Sequence, residues 1–212
     1  ITDVNYINRA TKGVYEFGSV FKTFTVAAGF HEGLIEPNTK YLNLKKQIEC
    51  NGFKIREYST ETPTNLTVEE ILIRSGNIGS VRIGQKIGEE KFKSFLKKIG
   101  VQGTIDFDIQ EVGKPTPINW GKCKLVTASY GHGITTTLLQ IAKGYAIVTN
   151  GGYDIKPTII QKKLFKKNRR KRILNISVSD KINKILRKVV TNTEGTAKQA
   201  NVEGYEVGGK TG

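Results

Sequence analysis

Gly18-Ser-Val-Phe-Lys-Thr-Phe-Thr-Val-Ala-Ala-Gly-Phe-His-Glu32 is the stretch on which the reading of the whole chain turns. Val20, Phe21, Phe24, Val26, Ala27 and Ala28 leave no broad polar stripe, so the spacing predicts a helix buried on most sides and ending near Gly33. Such a helix belongs at the centre of a domain. Residues three apart share a helix face, so Ser19 Oγ and Lys22 Nζ are expected to meet at its start. An N-capping serine and a surface lysine would fit poorly with a helix so apolar elsewhere.

Further along stand Ser75-Gly-Asn77 and Lys210-Thr-Gly212, which complete the ordered set S-x-x-K, S-x-N, K-T-G of a serine acyl-transfer site. The chain carries its own control. Ser94-Phe-Leu-Lys97 is a second S-x-x-K in a plain amphipathic, lysine-rich helix pattern, so that string alone carries no weight, whereas S-x-N and K-T-G each occur once. A serine hydroxyl needs a base in contact. Lys22 serves only if uncharged, which requires a pKa about 3 below the free value of about 10.4. Burial, the positive end of the helix and a second cation, Lys210, are the expected causes. Ser75 is suited to relay a proton to a leaving amine, and Asn77 to orient a substrate amide. Lys210 and Thr211, between Gly208, Gly209 and Gly212, are expected on a strand that a peptide can approach closely, where they would meet its terminal carboxylate.

At 212 residues the chain is read as one domain. It begins at Ile1, has no Met and stops on the last motif residue, so residues 1–212 are expected to be part of a longer protein. No apolar run reaches the length of a membrane span. The formal charge is +15, with a basic run between Gln161 and Arg172. That run lies between Tyr153–Ile160 and Ile173–Val178, both β-rich, so it is expected at a solvated hairpin tip. Without an aromatic stacking motif, nucleic-acid binding is set aside in favour of attraction to anionic lipid headgroups. Cys50 and Cys123 lack ligand spacing, which argues against zinc; they are expected as small buried thiols. No cofactor or metal is called for.

Thr67-Val-Glu-Glu70 is a capping box opening a helix over 68–74 that delivers Ser75-Gly-Asn77 into a turn. Helical patterns follow over 77–87 and 89–99, with residues 101–128 irregular, then 136–149, closed by Asn150-Gly-Gly152 leading into the first strand. Asp180 is expected to cap 181–190, and 205–212 to be a strand. Late strands without βαβ alternation indicate α+β, an antiparallel sheet packed with helices.

Taken together, several stretches are similar to one family. They are Asn8-Arg-Ala10, Tyr15-Glu-Phe-Gly-Ser19 through Lys22, Ser129-Tyr-Gly-His-Gly-Ile134, Leu139-Gln-Ile-Ala142, Asn150-Gly-Gly152, Gly195-Thr-Ala197 and Gly204 through Gly212. Nearly the whole chain resembles the transpeptidase domain of penicillin-binding proteins, most of all the class B, cell-division type. The resemblance implies the β-lactamase/transpeptidase-like fold, with a helical subdomain and with the last strands lying beyond Gly212. It implies Ser19 as acylated nucleophile, Lys22 as general base and Ser75 as proton relay, with Asn77, Lys210, Thr211 and Gly212 binding substrate. The implied partners are a stem peptide ending in D-Ala-D-Ala, β-lactams and other cell-division or cell-wall proteins. An upstream anchor would hold the domain on the periplasmic side of the inner membrane. A second oxyanion donor is implied just after Gly212, so this chain alone is expected to be inactive. Phe17, where the family has Pro or Leu, and Gly76, where it has Ser or Asp, are departures that touch geometry rather than reacting atoms. Two competing readings share the fold. A serine β-lactamase would need a deacylating carboxylate, for which Glu111 is the candidate, although the Asn of E-x-x-x-N is missing. A non-catalytic penicillin-binding sensor would share every motif, and His132 is expected only to shape the site.

Overall fold

The computed structural model describes residues 6–161 and 171–212. A 3₁₀ turn over Gly18–Phe21 runs directly into α1 (Lys22–His31), in which every residue from Lys22 to Phe30 is buried. The other long helices pack around it: α2 (Val68–Ile73), α3 (Asn77–Ile87), α4 (Glu89–Lys98), α6 (Leu138–Thr149) and α7 (Ile176–Thr191). A short α5 (Lys124–Ala128) lies against α3. Phe21 and Phe24 from the centre meet Phe92, Phe95 and Ile99 in one hydrophobic core. At about 1.5–3 kcal/mol for each fully buried large side chain, these residues fix the position of α1 and everything carried at its start.

The strands are short and antiparallel. β1 (Val14–Glu16) pairs with β6 (Thr135–Thr137), β2 (Lys40–Tyr41) with β5 (Leu66–Thr67), and β3 (Gln47–Cys50) with β4 (Phe53–Arg56). Asn51-Gly52 joins the last pair with both φ angles positive, the demand of a tight hairpin turn. The class is therefore α+β with antiparallel strands, as expected, but several local expectations fail.

Among the described residues the strands form three two-stranded ladders rather than one sheet, and all but β6 lie before Val68. Residues 205–212 form no ladder. Instead Gly209 N–H donates to Leu186 O at 3.2 Å and Arg187 Nη1 to Val207 O at 2.7 Å, so this segment lies along α7. Helix α7 begins at Ile176, capped by Asn175, whose side chain accepts from Ser177 N–H. Asp180 is thus inside the helix, and the β-rich reading of 173–178 is overruled by an amphipathic pattern that buries Val178, Ile182, Ile185 and Val189. Residues 101–128 are not wholly irregular, since α5 closes them. The basic run, expected at a hairpin tip, falls mostly outside the described residues; Tyr153 and Arg172 form an isolated antiparallel bridge. Cys50 and Cys123 are joined in a disulfide, not free thiols, which fastens the β3–β4 hairpin to the segment before α5.

Candidate active site

The site is built where three elements end. The first is the 3₁₀ turn. Its close neighbour is the Gly131 backbone, with φ +91, and a Cβ there would overlap the carbonyl of Gly18. Tyr145 O–H reaches Val20 O at 3.0 Å and Thr23 Oγ1 at 2.9 Å from α6. Burial pushes that phenol up to about 12, so it stays protonated.

The second is the end of α2. The capping box at Thr67 and Glu70 is present as the sequence predicts. At the other end Ser75 N–H donates to Leu72 O and Gly76 N–H to Ile71 O, the paired closure of a Schellman motif. Ser75 occupies the left-handed position of that motif, φ +59, where glycine is the usual occupant. A serine held there is strained backbone, and its hydroxyl faces Lys22 and Lys210.

The third is the C-terminal segment. Gly212 packs against Phe17 and Val20, where a Cβ would crowd Val20 Cγ2 at 2.7 Å and Phe17 O at 2.9 Å. Of the glycines expected to admit a partner chain, Gly212 thus packs against the turn that carries Ser19 and Gly208 against α7, while the Cβ position of Gly209 is open.

These ends bring Lys22, Ser75, Asn77, Lys210 and Thr211 together. Lys22 Nζ donates to Ser75 O at 2.5 Å and Asn77 Oδ1 at 2.6 Å, and lies 3.1 Å from Ser75 Oγ. Lys210 Nζ lies 2.9 Å from the same Oγ, 2.8 Å from Thr211 O and 3.3 Å from Thr211 Oγ1. Thr211 Oγ1 bonds Thr196 Oγ1 at 2.8 Å. Ser19 sits half-buried on the adjacent turn, and its carbonyl accepts from Lys22 N–H. Its expected side-chain contact with Lys22 is not formed: among the described residues Ser19 Oγ makes no hydrogen bond, because the Lys22 amine is turned to Ser75 and Asn77.

Lys22 is 1% exposed, and burial first, then the charge of Lys210, lowers its pKa from 10.5 to about 7, while the charge of Glu57 opposes the change. Burial lowers Lys210 to about 8. With three oxygens around it, a charged Lys22 donates to all three, whereas a neutral one gives two protons to the close acceptors and takes the Ser75 hydroxyl proton on its lone pair. Ser75 Oγ would then accept from charged Lys210. One hydroxyl so placed can pass a proton between two amines.

Glu57, Thr196 and Tyr145 escape the three catalytic strings because each reaches the site only through contacts with residues distant in sequence. The Gly195-Thr-Ala197 string was the only signal for Thr196. His132 lies 2.8 Å from Glu16 and stacks on Tyr130, beside the turn that carries Ser19. Glu111 is turned elsewhere, accepting from Asn8 N–H and pairing with Lys12. Among the described residues no three His, Cys, Asp or Glu converge as metal ligands would, and no helix is long and apolar enough to cross a membrane.

Residues 2–212 match the family model of the penicillin binding protein transpeptidase domain. The chain is 30% identical over 214 residues to a probable peptidoglycan D,D-transpeptidase FtsI of Caulobacter vibrioides, covering 100% of this chain and 36% of that protein. It is 31% identical over 213 residues to the stage V sporulation protein D of Bacillus subtilis, covering 93% and 32%. The chain spans about a third of the length of these curated relatives. Among solved structures, the TP domain of Burkholderia pseudomallei penicillin-binding protein 3 superposes with a TM-score of 0.88 at 27% identity, covering 96% of this chain and 61% of that one.

Proposed function

The chain belongs to the transpeptidase domain family of penicillin-binding proteins, and from that premise we propose that it performs the acyl-transfer step of peptidoglycan crosslinking. Its donor substrate is a stem peptide ending in D-Ala-D-Ala. The observation that carries this reading is the Ser75 hydroxyl held between two amines, 3.1 Å from Lys22, which follows Ser19 by three residues, and 2.9 Å from Lys210. Nothing in a structural turn calls for that arrangement.

In this reading Lys22, neutral near pH 7, turns from Asn77 to take the Ser19 proton as Oγ attacks the carbonyl of the penultimate D-Ala. The tetrahedral oxyanion is met by the Ser19 N–H. Collapse breaks the peptide bond; the proton passes from Lys22 through Ser75 to the departing D-Ala amine, leaving an ester on Ser19. An amine from a neighbouring strand then attacks that ester, returning its proton along the same route. Asn77 exchanges its bond to Lys22 for the substrate amide, and Lys210 and Thr211 hold the terminal carboxylate, with Gly212 admitting the peptide backbone. A β-lactam enters as a substrate mimic and stays on Ser19 as its ring-opened ester.

The rest of the assignment follows from the substrate. Peptidoglycan lies outside the cytoplasm, so the domain is placed on the outer side of the bacterial inner membrane, held by an N-terminal anchor and working beside other cell-division proteins. The Cys50–Cys123 disulfide supports an oxidising compartment. The test is labelling of the full-length protein by a fluorescent penicillin and mapping of the modified residue. A label on Ser19 that persists for hours, lost in Ser19→Ala, is expected. Labelling at Ser94, or rapid loss of the label by hydrolysis, would overturn the assignment. Crosslinking of a stem-peptide donor to an amine acceptor separates a transpeptidase from a sensor.

A further inference from the structure

Glu57 belongs to no motif, yet it touches the site's framework at two points. It follows β4, and its carboxylate accepts from successive amides at the start of α3: Asn77 N–H at 2.6 Å and Ile78 N–H at 2.8 Å. Helix starts leave such amides unpartnered and partly positive, and Gly76, at the N-cap of α3, has no side chain to offer. The neighbouring Arg56 carbonyl accepts from Asn77 Nδ2 at 2.8 Å. Asn77 is therefore gripped at its backbone and at one end of its carboxamide, which leaves Oδ1 aimed at Lys22 Nζ, 2.6 Å away.

Building on the transpeptidase reading, we propose that Glu57 is a positioning residue, which fixes the Asn77 carboxamide against the Lys22 amine and so orients the base. The two charges bearing on Lys22 oppose each other: Lys210 on the C-terminal segment drives its proton off, and Glu57 beyond β4 retains it. From the α2–α3 junction Lys22 meets only the neutral oxygens of Ser75 and Asn77. Glu57 thus restrains how far the base is discharged as well as where its partner sits.

The test uses full-length protein carrying lysine labelled at 13Cε, with the Lys22 resonance assigned by its loss in Lys22→Arg. Glu57→Gln keeps an acceptor oxygen and the side-chain volume but removes the charge. The Lys22 titration midpoint is expected to fall by roughly half a pH unit or more, the acid limb of penicillin acylation to move with it, and the plateau rate to drop several-fold. Glu57→Asp should keep the midpoint near that of the wild type while its shorter reach still lowers the plateau. A carboxylate that only caps α3 would lower the melting temperature and leave midpoint and limb unmoved; that result overturns the proposal. If Glu57→Gln does not fold, Glu57→Asp decides, and an unchanged plateau rate refutes it. If the wild type is not acylated at Ser19 but the Lys22 midpoint still moves in Glu57→Gln, the transpeptidase reading fails and the positioning role stands.

Discussion

Replacing Lys210 by Gln removes the second cation while leaving a polar side chain of similar length in the cleft. Both amines lie within hydrogen-bond reach of one oxygen, so they are about 6 Å apart at most. At an effective dielectric constant of about 20, two unit charges at that separation repel by roughly 3 kcal/mol, about two pH units on a titration midpoint. Burial is the larger cause of the low Lys22 value and survives the substitution. The midpoint of Lys22 should therefore rise from about 7 by roughly one to two pH units. The neutral fraction at pH 7 then falls from about half to a few per cent, and acylation at that pH drops about tenfold or more. The assay is the second-order rate of acylation by a fluorescent penicillin from pH 5.5 to 9.5. Lost carboxylate binding lowers the rate at every pH, so the position of the acid limb is the informative quantity. An acid limb that stays where the wild type has it would show that the charge of Lys210 does not govern the base.

Three further outcomes follow from the same geometry. Ser75→Gly relieves a left-handed serine, so thermal unfolding should show stability unchanged or raised by up to about 1 kcal/mol, whereas acylation collapses because Lys22 and Lys210 lose their shared hydroxyl. Gly131→Ala forces a Cβ at φ +91 into the Gly18 carbonyl and should cost about 3 kcal/mol or more, seen as a melting point lower by roughly 10 °C together with loss of labelling. Because folding depresses Lys22 from 10.5 to about 7, the unfolded chain binds more protons across that window. The stabilising share of Lys22 is present at high pH and is lost as pH falls through about 7, at a slope of up to about 1.4 kcal/mol per pH unit. Melting temperatures at pH 7 and 9 should show a larger rise for the wild type than for Lys22→Gln, and equal rises would contradict the burial of a neutral amine.

The sequence made the central helix legible because its apolar residues leave no second solution, and its three motifs named Lys22, Ser75, Asn77, Lys210 and Thr211, which the fold brings together. The α2 boundary was equally plain, since a capping box states its own start. What stayed hidden depends on tertiary partners. The segment 205–212 has strand composition, but its backbone donors find α7 rather than a neighbouring strand. The start of α7 was misplaced because Asp180 and Asn175 are both good caps, and only burial of Val178 decides between them. The Lys22 amine was expected on Ser19, the nearer group in sequence, yet oxygens arriving from the α2–α3 junction outcompete it. Glu57 was invisible because a carboxylate closing another helix from across the hairpin leaves no local trace.

Ser75 Oγ draws one amine from 53 residues back and another from 135 residues ahead. No local fragment contains more than one corner of that triangle, and closing either loop alone leaves the hydroxyl with a single neighbour. Under the proposed function, reactivity toward penicillin would therefore be a readout of completed folding: a nascent or partly melted chain would stay silent, and the labelled fraction of a full-length preparation would count its native molecules.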